Sequence, residues 1–200
     1  MRKIILASAI STLVGLSIIV LLINAYLEVR GRGADLVPDV PAVSAAPVRR
    51  GVLESIGLPI AGLTKRDIQD TFDQGRSEGR KHEATDILAP MGTPVMAVAD
   101  GAIRKLFLSK PGGITVYQYD RSETYCFYYA HLNGYVEGLH EGQFLKKGDV
   151  IGYVGVTGNA PKNTPHLHFA VFRLGEAKLW YKDLDPVNPY PYLQDALGRR

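Results

Sequence analysis

The sequence predicts an all-β fold, an antiparallel β sandwich or barrel, preceded by a single transmembrane helix. Three observations carry this. Short β-branched and aromatic runs recur at roughly 8–15-residue spacing from about residue 94 onward, separated by Gly/Pro turns. Asp100-Gly101 is a strong turn signal between two of them. At the other end of the chain, Ile4 to Leu27 contains no charged residue.

Taken in order, the first element is that N-terminal run. As a helix it would extend about 36 Å at ~1.5 Å per residue, enough to cross a hydrocarbon core about 30 Å thick. A cleaved signal has a shorter apolar stretch and a small-x-small cleavage site. The end of this run, Asn24-Ala25-Tyr26-Leu27, is a poor match to such a site. Residues 1–27 are therefore expected to be an uncleaved anchor. Arg2 and Lys3 before it are balanced by Arg30 and Arg32 after it, so charge does not fix its orientation. Residues 28–52 are rich in Pro and Ala and read as an extended linker. Residues 53–195 form the folded domain, and 196–200 a short tail.

Within that domain Gly57–Leu63 is expected to be a first short strand, and Asp67–Phe72 one helical turn. Residues 94–98 and 102–108 follow as strands around Asp100-Gly101. Residues 114–119 and 123–131 are two more, the second strongly aromatic. In 147–155 the glycines among apolar residues suggest bends or close backbone approach. Residues 166–173 are the last clear strand.

Charge narrows the function classes. Residues 1–50 hold six Lys/Arg against three Asp/Glu, and residues 51–200 hold 17 of each, so the folded part is neutral. It lacks the basic footprint of a nucleic-acid binder. The one cysteine, Cys126, rules out an intramolecular disulfide; in its aromatic setting it reads as a small buried hydrophobe.

The histidines are more informative. Four of the five fall in three clusters: His82 with Asp86 four residues on, His131 after Tyr129-Ala130, and His166-Leu167-His168. Residues four apart share a face in a helix or a strand. His166 and His168 would face one side of a strand while Leu167 points to the core. Two imidazoles and a carboxylate make a three-ligand zinc set that leaves a fourth position open, as in catalytic sites. Two further histidines would remain to move protons. His82-Glu83 invites comparison with H-E-x-x-H proteases, but position 86 is Asp, so Glu83 is a poor candidate base. His140 lies in a turn and is assigned no role. Arg76 and Arg80 could meet substrate carboxylates, but read better as solvated loop charges.

Together, His82-x-x-x-Asp86, Tyr129-Ala130-His131-Leu132 and His166-Leu167-His168 resemble the LytM/lysostaphin-type zinc peptidases (peptidase family M23, duplicated hybrid motif fold). Ala89-Pro90-Met91-Gly92-Thr93-Pro94-Val95 and Gly148-x-x-Ile151-Gly152-x-x-Gly155-x-Thr157-Gly158 add to the resemblance, which covers roughly residues 55–195. It implies one zinc ion per chain held by His82, Asp86 and His168. It also implies that His131 and His166 act on water and the scissile carbonyl, as general base and as oxyanion stabiliser or acid. The implied substrate is the cross-bridge or stem peptide of peptidoglycan, with the catalytic domain outside the cytoplasmic (inner) membrane.

Three departures stand out. Ala84 sits where the family commonly has Gly. The loop Asn159–Thr164 differs from the usual segment before Pro-His and is longer. An inhibitory segment or wall-binding domain is not evident. The competing expectation is a catalytically silent module that binds and activates a wall amidase; such relatives typically lose ligands, and none is lost here.

Overall fold

The computed structural model describes residues 51–76 and 79–199. The anchor and linker expected over 1–50 lie outside them. None of the helices among the described residues is long and apolar enough to cross a membrane.

Nine antiparallel strands make up the sheet: β1 (Thr85–Leu88), β2 (Pro94–Met96), β3 (Gly101–Ser109), β4 (Gly113–Asp120), β5 (Tyr125–Tyr135), β6 (Phe144–Leu145), β7 (Val150–Val154), β8 (His166–Leu174) and β9 (Leu184–Val187). The main order is β1-β8-β5-β4-β3-β6. β7 joins the far end of β5 and carries β2, and β9 extends β8 beyond the part covered by β1. The expected all-β antiparallel class is what the chain forms.

Strand periodicity builds the core. Leu167, Phe169 and Val171 alternate along β8 and are fully buried with Ile87, Phe127, Tyr129 and Leu132 from its neighbours. Each such side chain contributes about 1.5–3 kcal/mol of burial free energy. Tyr129 is anchored as well as buried. Its hydroxyl donates to Gln118 Oε1 (2.8 Å) and accepts from Val98 N–H (3.0 Å), while Gln118 Nε2 donates to the Ala99 carbonyl (2.7 Å). This leaves no orphaned polar atom in that network and pins residues 98–99 over the sheet. The β4–β5 turn is set by Asp120, whose carboxylate accepts from the N–H groups of Ser122, Thr124 and Tyr125. That turn fixes the register of β5 against both β4 and β8.

Three local expectations differ. Gly57–Leu63 is not a strand. Leu58, Ile60 and Leu63 are buried, but Pro59 has no N–H to give a ladder and the chain turns at Gly62, where φ is +76°. Isolated bonds such as Gly57 N–H to Val98 O and Met96 N–H to Pro59 O, and no continuous ladder, hold the segment. Asp67–Phe72 forms turns and a single bridge, Ile68 to Ile87, instead of a helical turn. A helix was not expected near the end of the chain, yet α1 spans Tyr190–Gly198. Pro191 in its first turn and Leu193, Ala196 and Leu197 at helical spacing were its sequence signals. It buries Leu193 and runs through residue 195, where the domain boundary was drawn.

Candidate metal centre

Sheet register assembles the site. Asp86 on β1 lies directly opposite His168 on β8, and Ala130 on β5 faces His168 from the other side. Directly opposed residues project from one face of a sheet. His166 is two residues along β8 and shares that face, while Leu167 between the two histidines is fully buried.

His82 arrives from outside the sheet. Residues 71–74 run back along 82–84, with His82 N–H bonded to Gln74 O and Glu83 N–H to Phe72 O, both 2.9 Å. Thr71 ties the pair to β1: its hydroxyl bonds Ala84 O (3.2 Å) and accepts from Asp86 N–H (3.3 Å). Glu83 has φ +55°, a conformation disfavoured for a side chain of its kind. The bend there lets His82 and Asp86 aim at one point, and Ala84 beside it is fully buried without displacing either.

The three side chains converge closely. His82 Nε2 and Asp86 Oδ1 are 3.1 Å apart, His168 Nδ1 and Asp86 Oδ1 2.9 Å, and His82 Nε2 and His168 Nδ1 3.1 Å. A ligand atom from each lies within 4.8 Å of the others, a spacing that can hold a metal ion. His82 Nδ1 lies 3.0 Å from the Thr71 carbonyl. A carbonyl only accepts, so that nitrogen carries the proton and Nε2 turns its lone pair into the cluster. Burial by itself would raise the Asp86 carboxyl. The imidazoles of His168 and His82 packed against it outweigh burial and hold the group well below the usual carboxylate range. Burial pushes His168 down, so it stays a neutral donor of electrons. One carboxylate and two neutral imidazoles suit a borderline divalent cation.

The other two histidines sit beside this cluster. His166 Nδ1 is 2.8 Å from the Thr164 carbonyl, and its Nε2 is 4.0 Å from Asp86 Oδ1. His131 Nδ1 is 2.8 Å from the Thr157 carbonyl. The rings of His131 and His166 lie 4.9 Å apart, centre to centre. Alternation along β5 would send His131 to the core side with Tyr129. It has φ +60°, and the pairing with β4 and β7 is irregular around it. This local bulge places two consecutive residues, Ala130 and His131, on the cleft side before Leu132 returns to the core. Burial, with the nearby His168, lowers the His131 pKa to about 4.

All five expected site residues thus line one cleft of about 530 Å³. Two partners escaped sequence reasoning. Arg76, read as a solvated charge, places a guanidinium nitrogen 3.0 Å from Asp86 Oδ2. Tyr128 sets its ring edge-on to His168 at 6.0 Å. Strand alternation could have found Tyr128, which is two residues before Ala130; nothing local marked Arg76. His140 is exposed and not part of the cleft lining, and Cys126 is fully buried.

An antiparallel β domain with a His-Asp-His cluster and two flanking imidazoles in an open cleft has the make-up of a metallopeptidase. Residues 80–188 match the profile of peptidase family M23, and the chain belongs to that family, of the LytM/lysostaphin type. It is 34% identical over 143 residues to an L-Ala–D-Glu endopeptidase of Bacillus subtilis, a stretch that is 68% of this chain and 42% of that protein. It is 37% identical over 90 residues to the peptidoglycan DD-endopeptidase ShyC of Vibrio cholerae, covering 45% of this chain and 20% of that one. Among solved structures, a candidate glycyl-glycine endopeptidase LytM from Ruminococcus gnavus superposes with a TM-score of 0.58 at 29% identity, over 73% of this chain and 60% of that one. The chain therefore spans less than half the length of the two sequence relatives.

Proposed function

We propose that this chain is a zinc-dependent endopeptidase of peptidoglycan stem or cross-bridge peptides. The observation that carries it is the convergence of His82 Nε2, Asp86 Oδ1 and His168 Nδ1 on one point beside two more histidines. Relatives named as an L-Ala–D-Glu endopeptidase and a peptidoglycan DD-endopeptidase support the substrate. Those three residues would hold the ion. When bound, zinc supplies a Lewis acid that polarises a carbonyl and lets water be deprotonated near neutral pH.

The chain's own residues do the rest. Thr164 and Thr157 carbonyls hold the Nδ1 protons of His166 and His131, so each ring presents an unprotonated Nε2 when neutral. His166, nearest Asp86, takes the proton from attacking water and returns it to the leaving amine. His131 stands beside the oxygen on which charge develops and, once protonated at Nε2, donates to it. Tyr128 closes the floor of the cleft next to His168. Because peptidoglycan lies outside the cytoplasmic membrane, residues 1–27 would anchor the chain there with the domain on the outer side.

The test is mass spectrometry of fragments released from purified peptidoglycan by the full-length, zinc-loaded chain, with His168→Ala as control. Peptide cleavage by the wild type alone is the expected result. Zinc bound at one per chain without cleavage would overturn the enzymatic reading; a chain that binds no zinc would favour a silent, amidase-activating module.

A further inference from the structure

The cleft carries an excess of positive charge that the metal centre does not use. Residues 51–200 are neutral overall, with 17 cationic and 17 acidic side chains. Around the cleft the balance is different: among the described residues Arg76, Arg80 and Lys81 line it, and Asp86 is the one carboxylate. Two of the cations are committed. Arg76 bonds Asp86 at 3.0 Å, and Lys81 bonds Asp73 at 2.7 Å. Arg80 has no carboxylate partner among the described residues, and it is exposed at the mouth. A guanidinium is a planar fork whose donors match a carboxylate, and it is less strongly hydrated than an ammonium.

We propose that Arg80 is a specificity residue that receives a free carboxylate of the peptide lying across the metal centre. The substrate class is then an acidic stem peptide, not a neutral glycine bridge. This rests on the peptidoglycan-hydrolase reading and names the chemistry that the cleft selects. Arg76 holds Asp86 and leaves Arg80 as the cation available to substrate. Leu88, Asn159, Pro161 and Thr164, also among the described lining residues, carry no charge to compete for it.

The test uses wall sacculi in two forms, native and with carboxyl groups converted to amides, and reads both sedimentation binding and peptide release by the full-length chain. The wild type is expected to bind the native form about threefold to tenfold more tightly, the range of one part-exposed charge-assisted contact. Arg80→Gln should lose that preference and Arg80→Lys recover part of it. Lys65→Gln, an exposed cation outside the cleft lining, should keep it, which separates a local contact from net charge. A preference that survives Arg80→Gln, or a wild type that binds both forms alike, would overturn the inference even if both forms are cleaved. Arg80-dependent binding without cleavage would support it and sink the hydrolase reading instead.

Discussion

Replacing Gly113 by Ala tests whether a backbone contact far from the histidines in sequence holds one of them in place. A Cβ at Gly113 would lie 2.2 Å from Thr157 Oγ1, 2.4 Å from the Thr157 carbonyl carbon and 2.5 Å from Gly158 N. Two of those three atoms are backbone, so no rotamer change relieves the clash. The φ of Gly113 is +66°, which costs a residue with a Cβ roughly 1–2 kcal/mol. The Thr157 hydroxyl donates to Leu132 O at 2.7 Å and accepts from Ile114 N–H at 3.0 Å. Displacing the loop forfeits both bonds, at about 1 kcal/mol each. The sum is roughly 3–4 kcal/mol, or about 8–12 °C in melting temperature for a domain of this size. The Thr157 carbonyl also holds His131 Nδ1, so peptide release should fall by about tenfold or more beyond any loss of folded protein. Thermal denaturation and turnover per folded molecule measure the two effects. A variant that melts within about 2 °C of wild type and turns over normally would refute both the clash and the coupling to His131.

Other consequences follow from burial and charge. The His131 pKa is lowered to about 4 in the fold, against an ordinary value near 6.5, so the folded chain refuses a proton that the unfolded chain accepts. Stability of the metal-free chain should therefore decline as pH falls from about 6.5 to 4, by at most about 3 kcal/mol. His131→Asn, whose side chain tolerates positive φ, should flatten that decline in denaturant titrations at pH 7 and 4.5. Burial pushes the Cys126 thiol far above its usual range, so iodoacetamide should leave it unmodified in the native chain and alkylate it after denaturation, as read by mass. Zinc at about 1,000 times its dissociation constant should stabilise the chain by about 4 kcal/mol, raising its melting temperature, and Asp86→Ala should abolish that shift.

How much of this could be read from residues alone depends on the range of the cause. Strand pairing is dictated by alternation, so β8 was legible with Leu167 inward and both histidines outward. Of the glycines in 147–155, Gly152 and Gly155 were legible as close-approach sites: a Cβ at Gly155 would sit 2.4 Å from Asn133 N. The segment 57–63 misled because its apolar residues are buried, yet burial there comes from packing a loop on the core and not from a ladder. The partners of the site histidines were not legible. Thr157 and Thr164 contribute carbonyls, which every residue has, and only the tertiary fold decides which ones face a ring nitrogen.

The same contrast divides the site itself. Asp86 and His168 are locked by strand register, the part of the fold that a substitution shifts least. His131 depends on a bulge, a left-handed backbone and a loop carbonyl, and His166 on the carbonyl of a loop residue two positions back. Ligands need fixed spacing to hold an ion, and a register-locked pair supplies it. Groups that exchange protons with a moving substrate need small adjustments, which loop carbonyls allow. Substitutions in 157–164 should therefore alter rate and peptide preference before they alter metal binding, whereas substitutions in the Asp86–His168 pair should remove both together.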